Sequence, residues 1–291
     1  MTTTEIPEEF QIPEEYITET QEAMQGGGVQ LPFPVVYFWW VNGEKRDAQI
    51  GGVRYFGGWA CDYEKMQDVS AAIGSPVPAG LEMTELVNDD GVFYNAYVSR
   101  FLSIAPIASR RRWIKQTKYG DDERGRSHTQ WLCWLGSYDK EAGVYLPWGT
   151  AVLTSKGLAS KAIWDAVTDF GMKTGGARRE FANNLPAWFF YHPIGTFGEK
   201  PNFQEVGTQY KNTITPATAY VPAEITRENL LKWYIGKDIV ERVHQLRLDA
   251  KPWLETWDKD KEAGDDITPE TFSQAPAEPA PQHYDEGLPP F

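Results

Sequence analysis

From Pro32 onward the apolar residues fall at every second position or in short unbroken runs, and the gaps between them are rich in glycine, proline and asparagine. This is strand periodicity, because successive side chains of an extended chain point to opposite faces. The segment PVVYFWWVNGEKRDAQIGGVRYFGGWA (34–60) predicts two strands about an Asn42–Gly43 turn, with the glycine pairs 51–52 and 57–58 at bulges or sharp bends. GVFYNAYVSRFLSIAPIA (91–108) predicts another long strand or a pair. SRRRWIKQTKY (109–119) and SHTQWLCWLG (127–136) flank the polar loop GDDERGR and read as a hairpin. Short strands follow at 144–149 and 151–157, and again at 187–195, 203–211 and 213–222.

In two places the period changes to that of a helix. Leu158, Ile163, Ala166, Val167 and Phe170 predict a helix near 156–171, with Gly171 as its stop. A second helix is expected near 226–250, from Thr226 to the stretch before Pro252. Its apolar residues Leu231, Tyr234, Ile235, Ile239, Val240, Val243 and Leu246 lie on more than one side, so it either closes the core or pairs two copies in a homo-oligomer; core closure is favoured. Many short strands, frequent turns and two helices predict a mainly β protein of α+β class. The expected architecture is a closed or partly closed barrel with added helices, a β-sandwich being the alternative.

The ends differ from this body. Residues 1–28 form an acidic arm whose near-repeat, IPEEF (6–10) and IPEEY (12–16), spaces prolines too closely for a continuous helix. It is expected to be mobile, or else a strap held through Phe10 and Tyr16, with Gly26–Gly28 as a joint. Residues 29–254 make the β-rich domain. Residues 255–291 turn to Asp, Glu, Pro, Ala and Gln, a composition that buries too little apolar surface to order itself, and are expected to be a disordered acidic tail.

Charge follows the same division. The net charge of −13 would repel a polyanion, but residues 1–24 carry seven glutamates and no base, and residues 255–291 carry ten acids against Lys259 and Lys261. Residues 25–254 hold 24 acids and 26 bases, so the body is about +2. Cys61 and Cys133 have no metal-ligand spacing and read as reduced, half-buried thiols. No apolar run approaches the roughly 20 residues of a membrane span, and the N-terminus is acidic where a signal peptide is basic. A cytoplasmic protein without a membrane partner is expected, in the bacterial host's cytoplasm if the chain is phage-encoded.

Catalytic patterns are missing from the sequence. There is no GxSxG, HExxH, GxxxxGK or CxxC, the four histidines are scattered, and KTGGARRE (173–180) lacks the spacing of a nucleotide loop. Asp121 and Asp122, the pair a nuclease would need, fall at a loop tip where solvated acids are ordinary. A protein without enzymatic activity, metal or cofactor is expected.

Binding has a stronger basis. Arg100, Arg110, Arg111, Arg112, Lys115, Lys118, Arg124 and Arg126 crowd one stretch against only Asp121, Asp122 and Glu123. On a strand Arg111, Trp113 and Lys115 share a face, and the facing strand offers His128, Gln130 and Trp134 on one side and Trp131 on the other. Cations beside aromatics on a sheet suit single-stranded nucleic acid: bases hold phosphates while rings stack on unpaired bases. The expected contacts are Arg110, Arg111, Arg112, Lys115, Lys118, Arg124 and Arg126 for phosphates, and Trp113, Tyr119 and Trp131 for stacking.

The last nine residues, HYDEGLPPF, place Leu288, Pro289, Pro290 and Phe291 behind Asp285 and Glu286. This tip resembles that of bacterial single-stranded DNA-binding proteins, which close with acids, an apolar residue, proline and a final phenylalanine. The resemblance covers those nine of 291 residues. It implies an OB-like β-barrel that coats exposed single-stranded DNA without strong sequence preference during replication, recombination or repair. It further implies that Asp285, Glu286, Leu288, Pro289, Pro290 and Phe291 recruit replication or recombination proteins. A divergent version from a phage or other mobile element is the expected form. The alternative is a non-enzymatic phage structural or assembly module, or another β-sandwich binding module.

Overall fold

A computed structural model describes residues 30–42, 49–50, 53–54, 57–87, 93–115, 125–139, 141–197, 204–206 and 212–262. The chain enters through β1 (Val36–Val41), the small pair β2 (Gln49–Ile50) and β3 (Val53–Arg54), then β4 (Gly58–Asp62) and helix α1 (Tyr63–Ile73). Strands β5 (Glu82–Val87) and β6 (Phe93–Ser99) lead to three long strands, β7 (Phe101–Lys115), β8 (Gly125–Asp139) and β9 (Val144–Lys156). Helix α2 (Leu158–Phe181) is followed by β10 (His192–Gly195), β11 (Gln204–Val206), β12 (Asn212–Ile214) and β13 (Thr218–Ala219). Three helices close the described chain: α3 (Arg227–Trp233), α4 (Lys237–Asp249) and α5 (Lys251–Glu262).

Nine strands hydrogen-bond in the order β13-β10-β7-β8-β9-β1-β4-β6-β5. The sheet is mixed, because β1 runs parallel to β9 while its other partner β4 is antiparallel. Its two ends, β13 and β5, do not pair. Among the described residues it is therefore a curled half-barrel with flanking helices, an α+β fold, and not a closed barrel. Register shifts that leave Ile107 of β7 and Trp148 of β9 as extra residues favour the curl, since an extra residue on one strand bends it and increases its twist.

Alternation along the central strands feeds two cores. Ile104, Trp131, Cys133, Leu135 and Leu153 face α1 and α2, meeting Met66, Val69, Ile163 and Ala166. Ala105, Leu132, Trp134 and Val152 face the other way, meeting Val243 and Leu246 of α4, Ala250 between the helices and Trp253 of α5. A sheet apolar on both faces reads as nearly continuous hydrophobic sequence, as WLCWL does here. Both cysteines are free and fully buried, not half-buried. Burial pushes the Cys61 thiol up to about 12, with Asp62 adding to the effect, and pushes Cys133 up as well.

Several elements depart from the sequence expectation. The second strand of the 34–60 pair breaks at its glycines into β2, β3 and β4, and it is β4 that pairs with β1, setting Trp40 opposite Trp59. Helix α1 was not foreseen, although Asp62 caps it by accepting from Lys65 N and Gly74 ends it at φ 66. Gly171 does not stop α2; its bare face lies where Ala187 packs, and the helix continues to Phe181, just beyond which Asn183 and Asn184 both take positive φ. The helix near 226–250 divides at Gly236 (φ 89). Helical structure resumes at Lys251, because Pro252 falls in a first turn, where a missing N–H breaks no intrahelical bond. That helix extends through 255–262, a stretch whose composition read as tail.

Candidate nucleic-acid interface

Beyond the bulge at Ile107, the hairpin of β7 and β8 keeps its partners in register from Ala108–Leu132 out to Lys115–Gly125. Opposed residues of an antiparallel pair share a face. Arg110 stands opposite Gln130 and Arg112 opposite His128, so these four point toward α5. Arg111 stands opposite Thr129 and Ser109 opposite Trp131, so these four point toward α2. The three consecutive arginines thus split between two faces.

On the α5 face the cations are packed, not bare. Arg110 donates from Nε and Nη2 to Gln130 Oε1, at 2.9 and 2.6 Å, and from Nη1 to the carbonyl of Trp253 at 2.6 Å. Its guanidinium lies 3.7 Å from the Trp253 ring centroid and 4.3 Å from that of Trp257. Arg112 lies 4.6 Å from the Trp257 centroid. His128 meets the same indole, centroids 4.8 Å apart. Burial holds the His128 imidazole down at about pKa 4, with Lys156, Arg112 and Arg110 adding to the effect.

The α2 face is buried at Ser127, Thr129 and Trp131 and reaches solvent at Arg111 and Trp164. Arg111 is exposed and donates from Nε to Ser127 Oγ at 2.7 Å. Trp131 is only 8 % exposed and belongs to the core, so the stacking role expected of it has no free ring face. The ring lying against it, centroids 5.0 Å apart, is Trp164 of α2, which remains 45 % exposed. The start of α2 is fixed to the same strand: Gly157 N donates to Ser127 O at 2.7 Å, and Ser160 Oγ reaches that oxygen too. Trp164 was not foreseen because at helical spacing it reads as one more member of an apolar stripe. Only the fold sets it on the Arg111 side of the hairpin.

The remaining candidates are placed as follows. For Trp113, Lys115 and Arg126 the backbone alone is described, within β7 and β8. Lys118, Tyr119 and Arg124 lie outside the described residues, as do Asp121, Asp122 and the tip residues Asp285, Glu286, Leu288, Pro289, Pro290 and Phe291. The acidic arm 1–28 is outside them as well. Trp134 is buried in the second core, with Arg242 5.1 Å from its ring centroid, and Tyr138 is exposed.

A cavity of about 830 Å³ opens at the other end of β7, among Pro76, Val77, Phe101, Leu135, Tyr138 and Trp148. Its charged lining is Glu82, Asp139 and Glu141 against Arg100, a balance that does not suit a polyanion. The arginine hairpin is the better site for one.

No family model, curated protein or solved structure matches the chain. The reading of the site therefore rests on its own chemistry. Among the described residues no three His, Cys, Asp or Glu side chains group as a metal site, and no helix is long and apolar enough to cross a membrane.

Proposed function

We propose that this protein binds single-stranded DNA without strong sequence preference, as a non-enzymatic coat used in replication, recombination or repair. The observation that carries the reading is that Arg111 and Trp164, both exposed, lie on the same side of the β7–β8 hairpin. A guanidinium takes a phosphate, and an indole whose far side is backed by Trp131 offers its outer side to a base. The strongly curled sheet takes the place of the OB-like barrel in this reading. Lys115, Lys118, Arg124 and Arg126 extend the phosphate track along the hairpin, Trp113 and Tyr119 add rings, and the tip from Asp285 to Phe291 recruits partner proteins.

The test is intrinsic tryptophan fluorescence during titration with a dT oligonucleotide, at low and at high salt, with a mobility shift alongside. Quenching that weakens with salt is expected, because each phosphate neutralised releases counterions. No quenching at low salt together with no shifted band overturns the reading. Deleting residues 283–291 is expected to preserve or strengthen DNA binding and to abolish capture of replication proteins. Binding weakened tenfold by that deletion would contradict the role given to the tip.

A further inference from the structure

The β7–β8 ladder stops at Ser103–Gly136, but neither strand stops there. β7 begins earlier, and its Phe101 and Leu102 pair with Gly195 and Ile194 of β10. β8 runs on, and its Ser137, Tyr138 and Asp139 pair with Leu146, Tyr145 and Val144 of β9. Each strand keeps its outer neighbour while the two part from one another. The cavity of about 830 Å³ lies in this opening, with Phe101 and Leu102 on one side and Ser137, Tyr138 and Asp139 on the other. A strand edge without a ladder partner is a template for an added strand.

The opening is held in place by its third wall, the turn after α1. Trp148 Nε1 donates to Pro76 O at 2.9 Å, and Ala79 N donates to Ser137 Oγ at 2.8 Å. Phe101, Tyr138 and Leu146, all exposed, line the cavity with apolar surface. Apolar side chains around a fixed concave site mark a ligand that covers them. Charge selects among the occupants. Glu82, Asp139 and Glu141 stand in the lining against Arg100, and the acids still outnumber the bases when Lys140, between two of them in sequence, is counted. The chain's own tip has suitable apolar residues but brings Asp285 and Glu286 with them, and a nucleic acid strand brings phosphates. A segment carrying lysine or arginine is the one such a rim favours.

We propose that this opening docks an extended segment of a partner protein, apolar at alternate positions and flanked by lysine or arginine, which lies as an added strand along Ser137–Asp139. Main-chain pairing sets its register, alternate side chains enter the cavity, and the basic flanks meet the rim. The site lies away from Arg111 and Trp164 and does not depend on the single-strand reading.

The test is selection of twelve-residue peptides from a displayed random library on the full chain, followed by fluorescence anisotropy of synthetic copies of the winners. Two variants accompany wild type: Leu146→Ser, at a position 48 % exposed, and the double variant Glu82→Gln, Glu141→Gln. Winners are expected to alternate apolar residues between basic flanks. Their affinity is expected to fall roughly fivefold to tenfold in Leu146→Ser. In the double variant it is expected to fall about threefold, with a smaller salt dependence. The double variant decides the matter if Leu146→Ser does not fold. N-methylation of the peptide backbone is expected to weaken binding at alternate positions only, those whose N–H faces β8.

No winners, or winners that bind both variants as tightly as wild type, overturn the docking site. A synthetic HYDEGLPPF peptide that binds as tightly as the basic peptides, and loses affinity in Leu146→Ser, overturns the partner and gives the cavity to the chain's own tip. A dimer in sedimentation that Leu146→Ser dissociates overturns it in favour of a second copy. Equal effects of N-methylation at every position overturn strand addition. Affinity for dT is expected to be the same in wild type and Leu146→Ser, and a drop in the variant would overturn the separation of the two sites.

Discussion

The guanidinium of Arg110 lies over the Trp253 indole, 3.7 Å from its centroid, while donating a 2.6 Å hydrogen bond to the same residue's carbonyl. One side chain thus joins β7 to α5 through both the ring and the backbone of its partner, and its other donors fork onto Gln130. A lysine keeps the charge but loses the planar fork. Arg110→Lys is expected to cost about 1–2 kcal/mol, and Arg110→Ala about 2–4 kcal/mol, because hydrogen bonds to a charged group and the cation–π contact are lost together. Urea unfolding of the two variants checks this, and an alanine variant as stable as wild type would show that α5 is held elsewhere.

Two glycines should respond in opposite directions to the same substitution. At Gly195, between β7 and β13, a Cβ would stand 2.1 Å from Arg100 O and 2.4 Å from Phe101 Cα. Those are backbone atoms of a paired strand and cannot rotate aside, so Gly195→Ala is expected to destabilise by about 3 kcal/mol or more. At Gly176, within α2, a Cβ would meet nothing within 4 Å. There alanine restores helix propensity, and Gly176→Ala is expected to stabilise by about 1 kcal/mol. Thermal melts of the pair are the check.

Two buried histidines give the protein an acid-side weakness. Burial lowers His192 to about pKa 4, helped by Arg178 and opposed by the bond between its Nε2 and Ala187 O; His128 is lowered to a similar value. In the unfolded chain both titrate near 6.5. Between those values the unfolded state binds more protons than the folded one, so stability is full above about pH 6.5 and falls as pH drops toward 4, with no further loss from these groups below it. From pH 7 to pH 5 each histidine accounts for about 2 kcal/mol of that fall. His192→Gln should therefore lose less stability than wild type over this interval, by about that amount. Urea midpoints at the two pH values decide it, and parallel curves would show that His192 is protonated in the folded protein.

How much of this was legible beforehand follows from the range of the interactions involved. The β7–β8 hairpin could be read because its signal is local: alternation on both arms, and a polar loop between them. The partner of β1 could not, because pairing with β9 joins Val36 to Ala151 across more than a hundred residues, and nothing in either segment names the other. Helix α5 was missed for a related reason. Its apolar residues Trp253, Leu254 and Trp257 lie among Asp, Glu and Lys, and become intelligible only against Arg110, Arg112 and the second core. The arginines could be seen as a cluster in the sequence. That two of the three would face a helix depends on the hairpin register and on where α5 packs.

The remaining prediction separates stacking from charge on the α2 face. Trp164 packs against Trp131, and Arg111 lies on the same side of the sheet, exposed, donating to Ser127 Oγ in the hairpin. Trp164→Ala removes a ring that is 45 % exposed, so stability should change by no more than about 1 kcal/mol, while dT affinity falls by about 1–3 kcal/mol, the worth of one stacked base. Its salt slope should be unchanged, since an indole neutralises no phosphate. Arg111→Ala should do the reverse, lowering the slope by about one while leaving part of the fluorescence quenching in place. Filter-binding or anisotropy titrations over a range of salt, run on both variants, separate the two effects. If Trp164→Ala lowers the slope and Arg111→Ala does not, the roles assigned to the two side chains are wrong, and the bases lie elsewhere on the protein.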